Sequence, residues 1–514
     1  MNCKFILGFC VSFININANA NEDINIENDS PNIIYVFPDQ FRNHAMGFWG
    51  EEGFKQYINF RNDPVYTPNL NQFAKESLVL TSAQSNTPVS SPHRGILLTG
   101  MYPHKSGIPI NCNSERPVSS LREDAVCISD VLADAGYDCA YFGKLHVDCP
   151  TENDPDNPGN YVESRRPAWD AYTPQEKRHG FNYWYSYGTF DHHKNPHYWD
   201  TNGKKHEPKE WSPLHEAKKV IEYLKNEKGE RESKKPFFIM VGMNPPHAPY
   251  NSLDDCMEED FNLYKDKSLD QLLVRDNADI TMSKAKSTPY YFASITGVDR
   301  AFGLILNTLK ELNLDKNTIV VFSSDHGETM CSHSLNDAKN TYYAEAMNVP
   351  FIIRYPTKIK PRVDTTLFST PDVMPTLLGL AGLTKKIPES VQGNSYASVF
   401  LDEFEKEMNN SVLYLHNSPG EKDQNGMVNS YFPSERGLKT NKYTFAISIN
   451  KQNEIQKVVL FDDKNDPYQL KNLYTGVEQK LFKELCKELG KKLTEIKDPW
   501  WEGKVLDEFI NYGL

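Results

Sequence analysis

The chain has 514 residues, a formal net charge of −13, 39% hydrophobic side chains and 24% charged ones. At roughly 150 residues per domain the length suits two to four domains, or one large α/β domain with an appendage, and there is apolar material for a sizeable core. The acidic balance excludes non-specific nucleic-acid binding, which needs a basic face. It leaves room for a locally basic pocket.

Residues 1–20 have the layout of a signal peptide: Lys4, an apolar stretch over 5–13, and Ala18-Asn19-Ala20 as a small-x-small cleavage site. That stretch is too short to span a bilayer, and no later run reaches eighteen apolar residues. A periplasmic or secreted protein without stable membrane insertion is expected. Of nine cysteines, seven follow residue 20, irregularly spaced and without a CxxC pair. One or two disulfides fit an exported chain; a disulfide framework does not.

Five short apolar runs then predict strands buried on both faces: "NIIYVF" (32–37), "SLVLTSA" (77–83), "DCAYFG" (138–143), "FFIMVGM" (237–243) and "TIVVFSS" (318–324). Helical stretches lie between them at 69–77, 128–136 and 295–314. The alternation predicts a mostly parallel sheet covered by helices on both sides, spanning 31–400. Beyond a charged stretch at 402–411, strand candidates at 412–416, 443–449 and 457–463 precede an amphipathic helix over 478–496. Residues 401–514 therefore predict a smaller α+β subdomain with an antiparallel sheet.

In parallel sheets ligands bind beyond the carboxyl ends of the strands, and here those ends carry the polar residues. Asp39, Gln40, Asp325 and His326 follow two of the strands and offer mainly oxygen donors, which suits Ca²⁺, or Mg²⁺ as the second choice, over zinc. Arg94, Lys144, His146, His247 and Lys339 would make the cleft basic, equipment for a tetrahedral oxyanion. His247, framed by prolines, is a candidate general acid. The stretch "TPVSSPHRGILLTG" (87–100) has two local readings: serines capping a helix that starts at Pro92, or a serine that does chemistry.

With these residues in order, the chain resembles the formylglycine-dependent sulfatases of the alkaline-phosphatase-like superfamily. Their signature, C/S-x-P-x-R followed by an apolar stretch and T-G, stands here as Ser90-Ser91-Pro92-His93-Arg94 and "GILLTG". The match continues through "GKLH", "NPPHAPY", "SSDHGE", "YYAEAMNVPFIIRYP", "QGNSYASVF" and "LFDDKNDPYQLKNL". The resemblance implies that Ser90 is oxidised to Cα-formylglycine by an anaerobic radical-S-adenosylmethionine maturation enzyme. It assigns calcium to Asp39, Gln40, Asp325 and His326, and the formylglycine and sulfate to Arg94 and Lys144. It gives His146 the elimination step, His247 the leaving oxygen and Lys339 a sulfate contact. Gln40 stands where many members have Asp, and the spacing from "DHGE" to Lys339 is one residue longer than the commonest pattern.

For the substrate, the aromatic segment at 180–200 with His192, His193 and His197, together with Arg436 in "SERGLKT", suggests a carbohydrate pocket; a core role for the aromatics is the alternative. The reading is an exo-acting carbohydrate sulfatase. Its rivals are a phosphonate or phosphate monoester hydrolase on the same scaffold, and an unmodified, non-catalytic glycan-binding protein.

Overall fold

The computed structural model describes residues 30–150, 167–170, 172–403, 409–502, 505 and 507. The signal-peptide reading and part of the charged stretch at 402–411 lie outside the described residues.

Among the described residues the main sheet has ten strands, in chain order β1 (Asn32–Val36), β2 (Leu78–Leu80), β3 (Asp138–Lys144), β4 (Tyr183–Tyr187), β5 (Tyr198–Asp200), β6 (Lys205–His206), β7 (Phe237–Gly242), β8 (Thr318–Phe322), β9 (Ile352–Arg354) and β10 (Arg362–Asp364). Across the sheet they lie β10-β2-β9-β8-β1-β7-β3-β4-β5-β6. The central strands are parallel, with β1 between β7 and β8, whereas β9 and β5 run against their neighbours.

Both faces of β1 are buried. Ile34 and Val36 join the cluster containing Trp211, Tyr223, Phe292 and Phe302, while Ile33 and Tyr35 join Leu97, Leu132, Met374 and Leu377 on the other side. This is why the central strands read as continuous apolar runs. Helices α1 (Pro68–Lys75), α4 (Ser212–Lys225) and α5 (Thr288–Glu311) cover the first face. Helices α2 (Ser90–Thr99) and α3 (Ile128–Asp134) cover the second. This is the alkaline-phosphatase-like layering.

Residues β11 (Ser411–Pro419), β12 (Tyr431–Thr440), β13 (Tyr443–Ile449) and β14 (Ile455–Asp462) form an antiparallel meander. Helix α6 (Gln479–Ile496) buries Phe482, Leu485, Leu489 and Leu493 against it. The meander is bonded to the serine loop: Asn86 Nδ2 donates to the Leu413 carbonyl at 2.8 Å, and the Leu415 amide donates to the Asn86 carbonyl. Residues of β11 therefore stand beside the strand ends of the main sheet.

Three sequence expectations shift. The 77–83 run ends as a main-sheet strand at Leu80, and Ala83–Gln84 pairs instead with Phe368–Ser369. The aromatic segment at 180–200 supplies β4 and β5, so Trp184, Tyr185, Tyr187, Tyr198 and Trp199 are buried core. The seven described cysteines are all free thiols. Among the described residues no helix is long and apolar enough to cross a membrane.

Candidate active site

Asp39 follows strand β1, Lys144 ends β3, Asn244 follows β7 and Asp325 follows β8, and helix α2 starts among them. Two glycines permit the convergence. Gly143 has φ +83, and a Cβ there would lie 2.4 Å from the Gly242 carbonyl. A Cβ on Gly327 would collide with the Glu345 carbonyl. These contacts account physically for the glycines of "GKLH" and "DHGE".

Ser90 opens α2 and Val89 holds the N-cap position without a side-chain cap bond, so neither serine caps the helix. Ser91 Oγ accepts from the Cys112 amide at 3.0 Å. Ser90 Oγ faces the cleft, 3.1 Å from His326 Nε2 and 3.3 Å from Lys339 Nζ. Lys339 Nζ also lies 3.1 Å from His247 Nε2 and 3.3 Å from His326 Nε2. The longer spacing before Lys339 still delivers its ammonium to Ser90 Oγ.

Beneath Ser90, Arg94 is 1% exposed and donates to Asp325 Oδ2 and Asp39 Oδ2, each at 3.1 Å, and to the Lys144 carbonyl at 2.7 Å. Lys144 Nζ lies 2.7 Å from the same Asp39 oxygen and donates to Asn244 Oδ1. Burial alone would raise the Asp39 pKa, but Lys144, His247, His326 and Arg94 hold it well below the usual carboxylate range.

Asp39 Oδ1 is buried without a hydrogen-bond partner. Ligand atoms of Asp39, Asp325 and His326 lie within 4.8 Å of one another. The His326 Nδ1 hydrogen goes to the Gly327 carbonyl at 2.9 Å, leaving the Nε2 lone pair facing the cluster. Burial lowers the His326 pKa to about 4, so the ring is neutral at pH 7. Gln40 donates from Nε2 to Glu328, which leaves its amide oxygen as the donor end. An orphaned carboxylate oxygen, a second carboxylate and a neutral imidazole fit a hard divalent cation. Cys127, Asp130 and His179 also approach one another, but the Asp130 carboxylate is committed to capping α3.

His146 is buried, with φ +53. Its Nε2 hydrogen goes to the Cys112 carbonyl at 3.1 Å, and Nδ1 is buried without a partner. Burial, then Lys144, hold its pKa well below the usual imidazole value. His146 therefore presents an unprotonated Nδ1 to the cleft. His247 is oriented by Nδ1, which is 2.8 Å from the Ala248 carbonyl and 3.4 Å from Asp191. The cleft above has a cavity volume of about 260 Å³ and includes Asn111, Trp169, Phe190 and Asp191 in its walls. None of these four carries a signal of its own in the sequence. Asp191 and Phe190 lay within the quoted aromatic segment, but Trp169 and Asn111 stand in runs without a motif.

The expected sugar-binding residues are redistributed. His193 is buried with Nε2 on the His247 and Pro249 carbonyls, which makes it a support for the His247 loop. His197 is buried against Asp170 at 2.7 Å. Arg436 is 1% exposed, bonded to Asp498 at 2.9 Å and to Asn417. None of these three reaches the cleft. Only His192 is near it, exposed and stacked on Phe190 at 4.7 Å between ring centroids.

A parallel α/β sheet whose strand ends gather two carboxylates and an imidazole, a buried arginine, lysines and further oriented imidazoles around one hydroxyl defines a hydrolase of anionic esters. The comparisons narrow the class. A family model described as Sulfatase matches residues 31–383, and one described as N-sulphoglucosamine sulphohydrolase, C-terminal, matches 332–499. The chain is 64% identical to an endo-4-O-sulfatase of Bacteroides thetaiotaomicron, over 94% of this chain and 96% of the relative. It is 32% identical to an ulvan-active sulfatase of Formosa agariphila, over 92% and 83%. A solved structure, described under the metabolism of multiple glycosaminoglycans by Bacteroides thetaiotaomicron, superposes with a TM-score of 0.92 at 63% identity and covers 94% of this chain and all of that one. The chain belongs to the sulfatase family, and it is a sulfuric ester hydrolase of the carbohydrate-sulfatase kind.

Proposed function

We propose that the chain removes 4-O-sulfate from sugars inside a glycosaminoglycan, with Ser90 converted to formylglycine and calcium in the Asp39–Asp325–His326 cluster. The similarity to the endo-4-O-sulfatase supports the substrate. Endo action is proposed here in place of the exo action expected from the sequence, on the strength of that similarity. The chemistry rests on one observation: Lys339 and His326 converge on Ser90 Oγ within 3.3 Å, with His247 behind Lys339.

Formylglycine, as its hydrate, supplies one hydroxyl to attack sulfur and a second whose ionisation later expels sulfate. Asp39, Gln40, Asp325 and His326 would hold the calcium ion, whose charge supports the anionic site. Arg94 fixes both carboxylates and, through the Lys144 carbonyl, the position of the β3 end. Lys144 and Lys339 present ammonium groups to the sulfate oxygens, where charge grows during transfer. Lys339 Nζ stands 3.1 Å from His247 Nε2, and His247 is placed to give a proton to the departing sugar oxygen. The His146 Nδ1 lone pair accepts the proton released in the elimination.

On this reading residues 1–20 direct export to the periplasm or outside the cell, and a radical-S-adenosylmethionine enzyme matures Ser90. The test is sulfate release, followed by ion chromatography, from intact 4-O- and 6-O-sulfated glycosaminoglycan polymers by enzyme with verified formylglycine. Release from the 4-O-sulfated polymer beyond its chain ends is expected. Release confined to chain ends or to 6-O positions would overturn the reading. Hydrolysis of phosphonate esters alone would favour the rival hydrolase.

A further inference from the structure

A second cavity of about 360 Å³ adjoins the catalytic cleft and shares Asn111 and Trp169 with it. Trp169 is the partition. Its ring lies 6.1 Å from the His146 ring on the catalytic side, and the Arg116 guanidinium lies 5.7 Å from its ring centroid on the other. The far wall is His416, Asn417 and Ser418 of β11, with Asp337 and Asn340 from the Lys339 loop.

Arg116 is a half-buried cation that forms no ion pair among the described residues. Its neighbour Glu115 is committed elsewhere, to Lys422 at 2.6 Å. Arg116 is held in place by donating to the Asn111 carbonyl at 2.9 Å. Burial lowers its pKa, a cost that a bound anion would offset. The nearby Asp337 carboxylate is taken up by the Lys339 amide and by Asn340 Nδ2.

We propose that this cavity is a second sugar subsite, in which Arg116 binds the oxyanion of the residue next to the one being desulfated and Trp169 lies between the two rings. This rests on the glycan-sulfatase reading above. The oxyanion is a uronate carboxylate or a neighbouring sulfate. Arg offers either one a planar pair of N–H donors, and an aromatic face suits the apolar face of a sugar ring. A substrate that fills both cavities must extend beyond a single sugar, as interior action requires.

The test is calorimetric binding to protein with unmodified Ser90, so that no turnover occurs. The probes are N-acetylgalactosamine 4-sulfate, a chondroitin 4-sulfate tetrasaccharide, and the same tetrasaccharide with its carboxylates reduced to alcohols. Arg116→Gln should weaken the tetrasaccharide about tenfold, the scale of one charge-assisted contact, and leave the monosaccharide within about twofold. Arg116→Lys should recover part of the loss. If the variant has no effect on the carboxyl-reduced probe, the anion is the carboxylate; if the tenfold loss persists there, it is a sulfate. Equal tetrasaccharide binding by parent and Arg116→Gln, or equal loss for monosaccharide and tetrasaccharide, overturns the subsite. A parent that binds neither sulfated sugar contradicts the functional reading itself.

Discussion

Arg94→Gln tests whether one buried cation organises the site. Arg94 lies beside Asp39 and Asp325, 3.1 Å from each, donates to the Lys144 carbonyl, and packs over Phe37 at 4.9 Å. Without it, Asp39 keeps Lys144 as a close cation, while Asp325 Oδ2 loses the only donor found for it among the described residues. Removing one member of a buried ion pair costs about 3–5 kcal/mol, because the remaining charge stays desolvated. A glutamine amide recovers about 1 kcal/mol as a neutral hydrogen bond. The expected destabilisation is therefore about 2–4 kcal/mol, measured as a shift in urea midpoint at unchanged slope. Sulfate release should fall at least about a hundredfold, since both the nucleophile's floor and the strand end move. A variant within about 0.5 kcal/mol of the parent would refute the argument.

Other outcomes follow from the same geometry. Lys339→Ala should lower kcat about a hundredfold while leaving the urea midpoint nearly unchanged, because its ammonium serves the cleft; an unchanged kcat would remove it from the machinery. Calcium should raise the melting temperature of chelator-treated protein, by about 2.7 kcal/mol of stability at a hundredfold excess over its dissociation constant. Asp39→Asn should abolish that response, and a stronger response to zinc than to calcium would contradict the donor-set argument. Glu345→Gln tests a buried pair away from the cleft. Burial would raise the Glu345 pKa, but Arg275, His44 and His333 hold it below 4.5. Its contribution is thus present above about pH 4.5 and lost as pH falls. The variant should be about 2–4 kcal/mol less stable at pH 7, with the gap narrowing below pH 4.5. A gap independent of pH would count against this.

The central strands and the inner site were legible because one physical fact wrote both. A parallel strand buried on two faces leaves an apolar run, and the polar residues at its end can only face the ligand side. Asp39, Lys144, His247 and Asp325 were read that way. The signature around Ser90 and Arg94 set the register that capping logic alone left open. What escaped depends on partners far along the chain. Strand β12 was missed because Pro433, Ser434, Glu435 and Arg436 give it no apolar alternation, although β11 and β13 enclose it. Arg436 looked free until Asp498 folded against it. His197 looked like a sugar ligand until Asp170 took it. Trp169 and Arg116 belong to no motif, and their importance appears only where two cavities meet.

The central claim is that Ser90 carries the reaction as formylglycine. Peptide mass spectrometry of the Ser90 fragment, from protein made in its native host, tests it most directly. The account predicts a mass about 2 Da below that of serine, with capture by a carbonyl reagent. An unmodified Ser90 in natively made, folded protein would contradict it.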